Sequence, residues 1–191
     1  MNPYFVLYTP SLENPEFAQF KGQTSFFAVQ SKTKKLVANR DGDEIVFKGK
    51  FEYEELKKFV DDNALPYVPE LSQETYQLLA RKKIVTLVID PKEEQTIKHY
   101  VQEMTEALRA APAWTSNFSI SWIDGFKWKA YIETFKPHTM ADYPFILIID
   151  PKDDKKYYSK LIKDKTASQT ALDLINGIER NEETPKNKDE L

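Results

Sequence analysis

Residues 145–158 read FILIIDPKDDKKYY, and they decide the fold. FILIID is a strand, PKDDK a tight polar turn whose proline fixes φ, and KKYY the returning strand. The helix that follows, TASQTALDLINGIERN, starts with Thr166 and Gln169 spaced as a capping box. Leu172 and Ile175, with Leu174 and Ile178, supply its apolar stripe. The same sequence of parts occurs earlier. KLVANR, the turn DGD and EIVFKGKF precede EYEELKKFVDDNAL, whose Leu56, Phe59 and Val60 share a helical face. Asp41-Gly42 is a strong two-residue hairpin signal. A strand-turn-strand-helix ending used twice predicts two related domains in tandem.

Working outward, IVTLVI (84–89) is a continuous apolar run, as expected of a strand covered on both faces. Asp90-Pro91 opens a long helix in which Ile97, Tyr100, Val101, Met104 and Leu108 keep one face. FSISWI (118–123) is the next strand and KWKAYIETF (127–135) the next helix. Upstream, Tyr67 to Glu70 form a short edge strand before a helix over SQETYQLLAR. The second unit thus reads β-α-β-α-β-α-β-β-α. The first unit has strands YFVLYT and SFFAV before its hairpin and lacks a leading β-α. Residues 24–48 also fit a three-stranded meander. The expected division is an abbreviated domain over 1–66, a complete one over 67–181 and a polar tail over 182–191, with Pro66 and Pro69 stiffening the joint.

Composition narrows the function. Net charge is −3 and no basic stripe is interleaved with aromatics, which argues against nucleic acid. The apolar runs are far too short to cross a bilayer, so membrane insertion is not expected. There is no cysteine, which removes thiol chemistry from this chain. The last four residues, Lys188-Asp189-Glu190-Leu191, form the tetrapeptide KDEL, read by a retrieval receptor of the endoplasmic reticulum (ER) lumen. The first residues carry no secretory signal, so Met1 is expected to be a fragment boundary.

A β-α-β-α-β-α-β-β-α unit used twice and ending in KDEL resembles the protein disulfide isomerase family. More specifically it is similar to the non-catalytic thioredoxin-fold pair of that family, b and b′. The residues that carry it are FEYEELKKFVDDNALPYVPEL, FSISWIDGFKWKAYIETF, DYPFILIIDPKDDKKYY and the KDEL end. The resemblance implies an α/β fold of tandem thioredoxin-like domains, each a central mixed sheet flanked by helices, the first abbreviated or truncated. The family's Cys-x-x-Cys position falls near Pro91 to Glu94 in the second unit and near Pro10 to Glu13 in the first, and neither has sulfur. The family's cis-proline corresponds to Pro144, whereas the first unit has Lys34-Lys35 there.

In b′ domains unfolded clients bind an apolar pocket between two helices. The resemblance assigns these to about 92–110 and 127–138 here. It gives Tyr100, Met104, Leu108, Trp128, Tyr131, Ile132 and Phe135 as client-binding residues, although the same spacing serves ordinary core packing. Asn117-Phe118-Ser119 matches the N-glycosylation pattern, at a strand entrance that can hide the side chain. His99 and His138 are the only histidines and belong to no ligand or triad spacing. The DPKDDKK turn and EYEE lack EF-hand spacing, so no metal and no cofactor are expected.

The leading expectation is a redox-inactive ER module that binds unfolded or partly folded polypeptides in the second domain. The chain itself is not catalytic, while an intact protein with upstream thiol domains would be an oxidoreductase whose clients this pair concentrates. The alternative is a scaffold that recruits a folded ER chaperone or lectin through Lys127, Lys129, Lys136, Lys160 and Lys163. Its salt dependence would set it apart.

Overall fold

The structure, a computed structural model, describes residues 2–13, 18, 20, 25–90, 92, 94–111, 113–134, 143–161 and 164–183. The chain divides into two compact units, Met1–Tyr67 and Val68–Leu191.

The first unit contains β1 (Tyr4–Thr9), β2 (Ser25–Gln30), β3 (Lys35–Arg40), β4 (Asp43–Val46) and α1 (Tyr53–Asn63). The strand order is β2-β1-β3-β4. β1 runs parallel to β2 and antiparallel to β3. Residues 24–48 are therefore not a meander, because β1 lies between β2 and β3. A turn at 31–34, held by the Ser31 amide on the Thr9 carbonyl (2.8 Å), carries the chain across. Phe5, Leu7 and Thr9 alternate into the buried face. There Phe5 and Leu7 meet Phe20, Leu36 and Ala38, and Leu56 and Val60 of α1 close the core. The β3–β4 turn has positive φ at Asp41 and Gly42 (49° and 88°), as a type I′ hairpin requires.

That turn also holds the end of the unit. The Asp41 carboxylate accepts the Tyr67 amide at 2.6 Å. The Arg40 guanidinium donates to the Pro66 carbonyl (3.1 Å) and lies 4.1 Å from the Tyr67 ring centroid.

The second unit contains α2 (Gln73–Leu79), β5 (Lys83–Ile89), α3 (Glu94–Ala110), α4 (Trp114–Asn117), β6 (Phe118–Asp124), α5 (Lys129–Glu133), β7 (Phe145–Asp150), β8 (Lys155–Lys160) and α6 (Ala167–Glu183). Its strand order is β6-β5-β7-β8. β5 and β7 are buried almost throughout, consistent with their unbroken apolar sequences. At the outer edge of β6, Glu70 forms an isolated parallel bridge with Trp122. The Trp122 amide donates to the Pro69 carbonyl (3.0 Å), and the Leu71 amide donates to the Trp122 carbonyl (2.7 Å). α3 packs against α6. Met104, Leu108, Ala171 and Ile175 are buried on the two helices, and the Glu103 carboxylate accepts the Ser168 amide at 2.9 Å. Thr166 and Gln169 make the reciprocal capping bonds, at 3.0 and 3.2 Å. Two mixed sheets flanked by helices are the architecture of thioredoxin-like domains.

Candidate functional site

An apolar concavity of the second unit lies between α2 and α5. α2 begins at Ser72, whose side chain accepts the Thr75 amide (3.3 Å), while the Ser72 amide donates to Thr75 Oγ1 (2.8 Å). Ser72 Oγ also donates to Glu74 at 2.6 Å, which holds that carboxyl below its ordinary range. This fixes the first turn and leaves Tyr76 projecting, 38% exposed. The turn into α5 is built by Asp124, whose carboxylate accepts the Phe126 and Lys127 amides at 2.8 and 2.9 Å. The Trp128 amide then donates to the Asp124 carbonyl, and Ile132 to Trp128.

Between these helices lies a groove of about 510 Å³. Leu71 and Ile123 contribute apolar surface; Ser72, Gln73, Tyr76 and Gln77 line it from the α2 side, Trp128 and Tyr131 from the α5 side. The Trp128 and Tyr131 rings meet edge to face at 6.2 Å. Burial pushes the Tyr131 phenol above its ordinary pKa; Lys156 opposes the shift, and Tyr76 and Asp154 add to it. The phenol is therefore neutral at physiological pH. Trp128 Nε1 is buried, with no hydrogen-bond partner among the described residues.

The structure separates the residues that the sequence grouped. Trp128 and Tyr131 line the groove. Ile132, 1% exposed, points into the core instead. Tyr100, Met104 and Leu108 are on α3, whose helical neighbour is α6, so the second wall of the groove is α2. Met104 and Leu108 are fully packed, and the half-buried Tyr100 has its phenol pKa raised by burial and by Glu103. Phe135 lies outside the described residues, as do Lys136, His138, Lys163 and the terminal Lys188, Asp189, Glu190 and Leu191. Sequence reasoning missed Leu71 and Tyr76. The signal available was a tyrosine on the solvent side of SQETYQLL, a helix that directly follows the edge strand.

The Tyr143–Pro144 peptide bond is cis. Tyr143 donates to the Gly125 carbonyl at 3.1 Å. Asn117 is exposed at the end of α4; Phe118 is buried beside it, and Ser119 Oγ donates to the Leu79 carbonyl at 2.9 Å. Lys127 and Lys129 sit 3.6 Å from Glu70 and Glu133 respectively. Among the described residues no group of acidic or histidine side chains could hold a metal ion, and no helix is long and apolar enough to cross a membrane.

Known proteins place this architecture. The bb fragment of ERp72 superposes with a TM-score of 0.63 at 12% identity, over 96% of this chain and 91% of that one. Human ERp44 superposes at 0.58 and 12% identity in one crystal form, over 94% of this chain and 53% of that one. Another human ERp44 structure gives 0.55 at 13% identity, with 94% and 57% covered. The chain thus spans little more than half the length of ERp44, and identities this low establish a likeness of fold. No curated protein matches by sequence. The model of the thioredoxin-like domain matches residues 15–173, so the chain belongs to the thioredoxin-like domain family, as a member without cysteine.

Proposed function

We propose that this chain is a redox-inactive, polypeptide-binding part of an ER protein of the disulfide isomerase type, and that the groove between α2 and α5 is where it binds. The observation that carries the reading is the groove's composition: an apolar concavity lined by the rings of Tyr76, Trp128 and Tyr131. Tyr76, Tyr131 and Trp128 offer large faces to the side chains of an unfolded segment. Such faces accept apolar side chains of many shapes, so recognition need not depend on sequence. No covalent step is involved, because the chain has no thiol. The KDEL end and the family resemblance support an ER address, with the retrieval receptor as a further partner.

The test is a titration with a reduced, alkylated, unfolded polypeptide, followed by tryptophan emission. Saturable binding is expected, with negative heat-capacity change and little salt dependence. Tyr131→Ala or Tyr76→Ala should weaken it by about 1–2 kcal/mol, or roughly five- to thirtyfold in Kd. Binding that fades with salt and ignores both substitutions would favour docking of a folded chaperone or lectin on the lysine-bearing surface.

A further inference from the structure

Helix α2 gives the groove one of its walls, and that wall is uncharged. Gln73, Tyr76 and Gln77 line it, all three exposed, and none of the described residues lining the groove carries a charge. Glu74, the acid of this helix, is held by Ser72 Oγ at 2.6 Å and is not among them. Capping occupies Ser72 and Thr75, and Gln73 and Gln77 take no part in it. Two neutral amides thus stand about one helical turn apart on the flank of an aromatic concavity.

A glutamine amide has a carbonyl oxygen that accepts and an NH2 that donates. An extended polypeptide offers the complement, because the N–H and C=O of one residue point to the same edge and those of the next residue to the other. Along one edge a donor and acceptor pair therefore recurs at every second residue, about every 6.8 Å. Residues four apart on an α-helix are separated by about 6 Å along its axis. The mismatch is under about 1 Å, which two flexible side chains absorb. Side chains of the same segment alternate in direction, so every second one is presented to Leu71, Ile123 and the Trp128 and Tyr131 rings. A helical segment has no such edge, since its N–H and C=O groups satisfy one another.

We propose that Gln73 and Gln77 clasp the main chain of the polypeptide in the groove, so that its occupant is an extended segment lying along α2. The inference rests on the groove being the polypeptide site. One glutamine pairs with the N–H and C=O of a residue, and the other with those of the residue two positions away. Main-chain contacts fix the path of the segment without selecting its sequence, while the aromatic wall favours apolar side chains at alternate positions. The substrate class is therefore a strand with an apolar residue at every second position and no proline on the clasped edge, where its missing N–H would leave a glutamine carbonyl without a donor.

The probe is a capped peptide of about ten residues in which leucine alternates with serine, added to the full chain and followed by tryptophan emission. Saturable binding is expected. Gln73→Leu and Gln77→Leu should each weaken it by roughly two- to tenfold in Kd, although leucine adds apolar surface. Leucine forms helix as well as glutamine does, so both variants should keep the far-ultraviolet circular dichroism of the parent. Of two further peptides, one N-methylated at every leucine and one at every serine, the first or the second should bind distinctly worse than its twin. That difference should disappear in the double variant Gln73→Leu/Gln77→Leu. Leucine variants that bind as well as the parent or better, or a methylation difference that survives in the double variant, would overturn the clasp while Tyr131→Ala still marks the groove as the site. No saturable response to the peptide would overturn it too, and titration with the unfolded polypeptide then decides separately whether the groove binds at all.

Discussion

Thr86 and Ser121 face each other across β5 and β6, both fully buried, and their hydroxyls are 2.7 Å apart. Each satisfies the other, so the pair costs little as it stands. Thr86→Val leaves the Ser121 hydroxyl stranded and should destabilise the second unit by about 1–3 kcal/mol in urea unfolding. The double variant Thr86→Val/Ser121→Ala removes both polar groups and should recover much of the loss. Gly125 is constrained for a different reason. A Cβ there would lie 2.7 Å from the Tyr143 ring and 3.1 Å from the Ile89 carbonyl. The ring can move but the backbone yields less, so Gly125→Ala should lower stability by about 1–3 kcal/mol. Near-ultraviolet circular dichroism should report the displaced ring. Neither constraint was legible in the sequence. Thr86 interrupts IVTLVI with no sign of its partner 35 residues away, and Gly125 reads simply as a turn. The groove was half legible for the same reason: spacing marks an aromatic face on one helix but not which helix stands opposite.

Elements were easier to read than their neighbours. Unbroken apolar runs marked β5 and β7, and the Thr166–Gln169 spacing marked the start of α6, because burial on both faces and capping are local demands on sequence. Strand partners are not local: SFFAVQ has the same composition whether it lies beside β1 or β3, so only the pairing itself excludes the meander. The capping of α2 links an element to binding. Ser72→Ala removes both the acceptor for the Thr75 amide and the donor to Glu74. A loss of about 1 kcal/mol in stability is expected. Because Ser72 and Tyr76 line the groove, polypeptide affinity should fall as well, while α6, capped separately, keeps its amide-exchange protection.

At the scale of the whole molecule, ionisation sets an alkaline limit. Burial is the leading cause that raises the phenol pKa of Tyr100, Tyr131 and Tyr143. Unfolded tyrosine ionises near pH 10. Between that value and the raised ones, the unfolded chain has released protons that the folded chain retains. The stability these three phenols contribute is therefore complete below about pH 10 and falls as pH rises further. Urea midpoints from about pH 9 to about pH 11 should show the decline, with these three of the ten tyrosines ionising late in ultraviolet absorbance. The three tryptophans, Trp114, Trp122 and Trp128, all belong to the second unit. Indole light therefore comes from one half of the chain only. A polypeptide settling beside Trp128 would shift its colour, whereas events confined to the first unit would pass in the dark, so the molecule carries a built-in optical report on one of its halves.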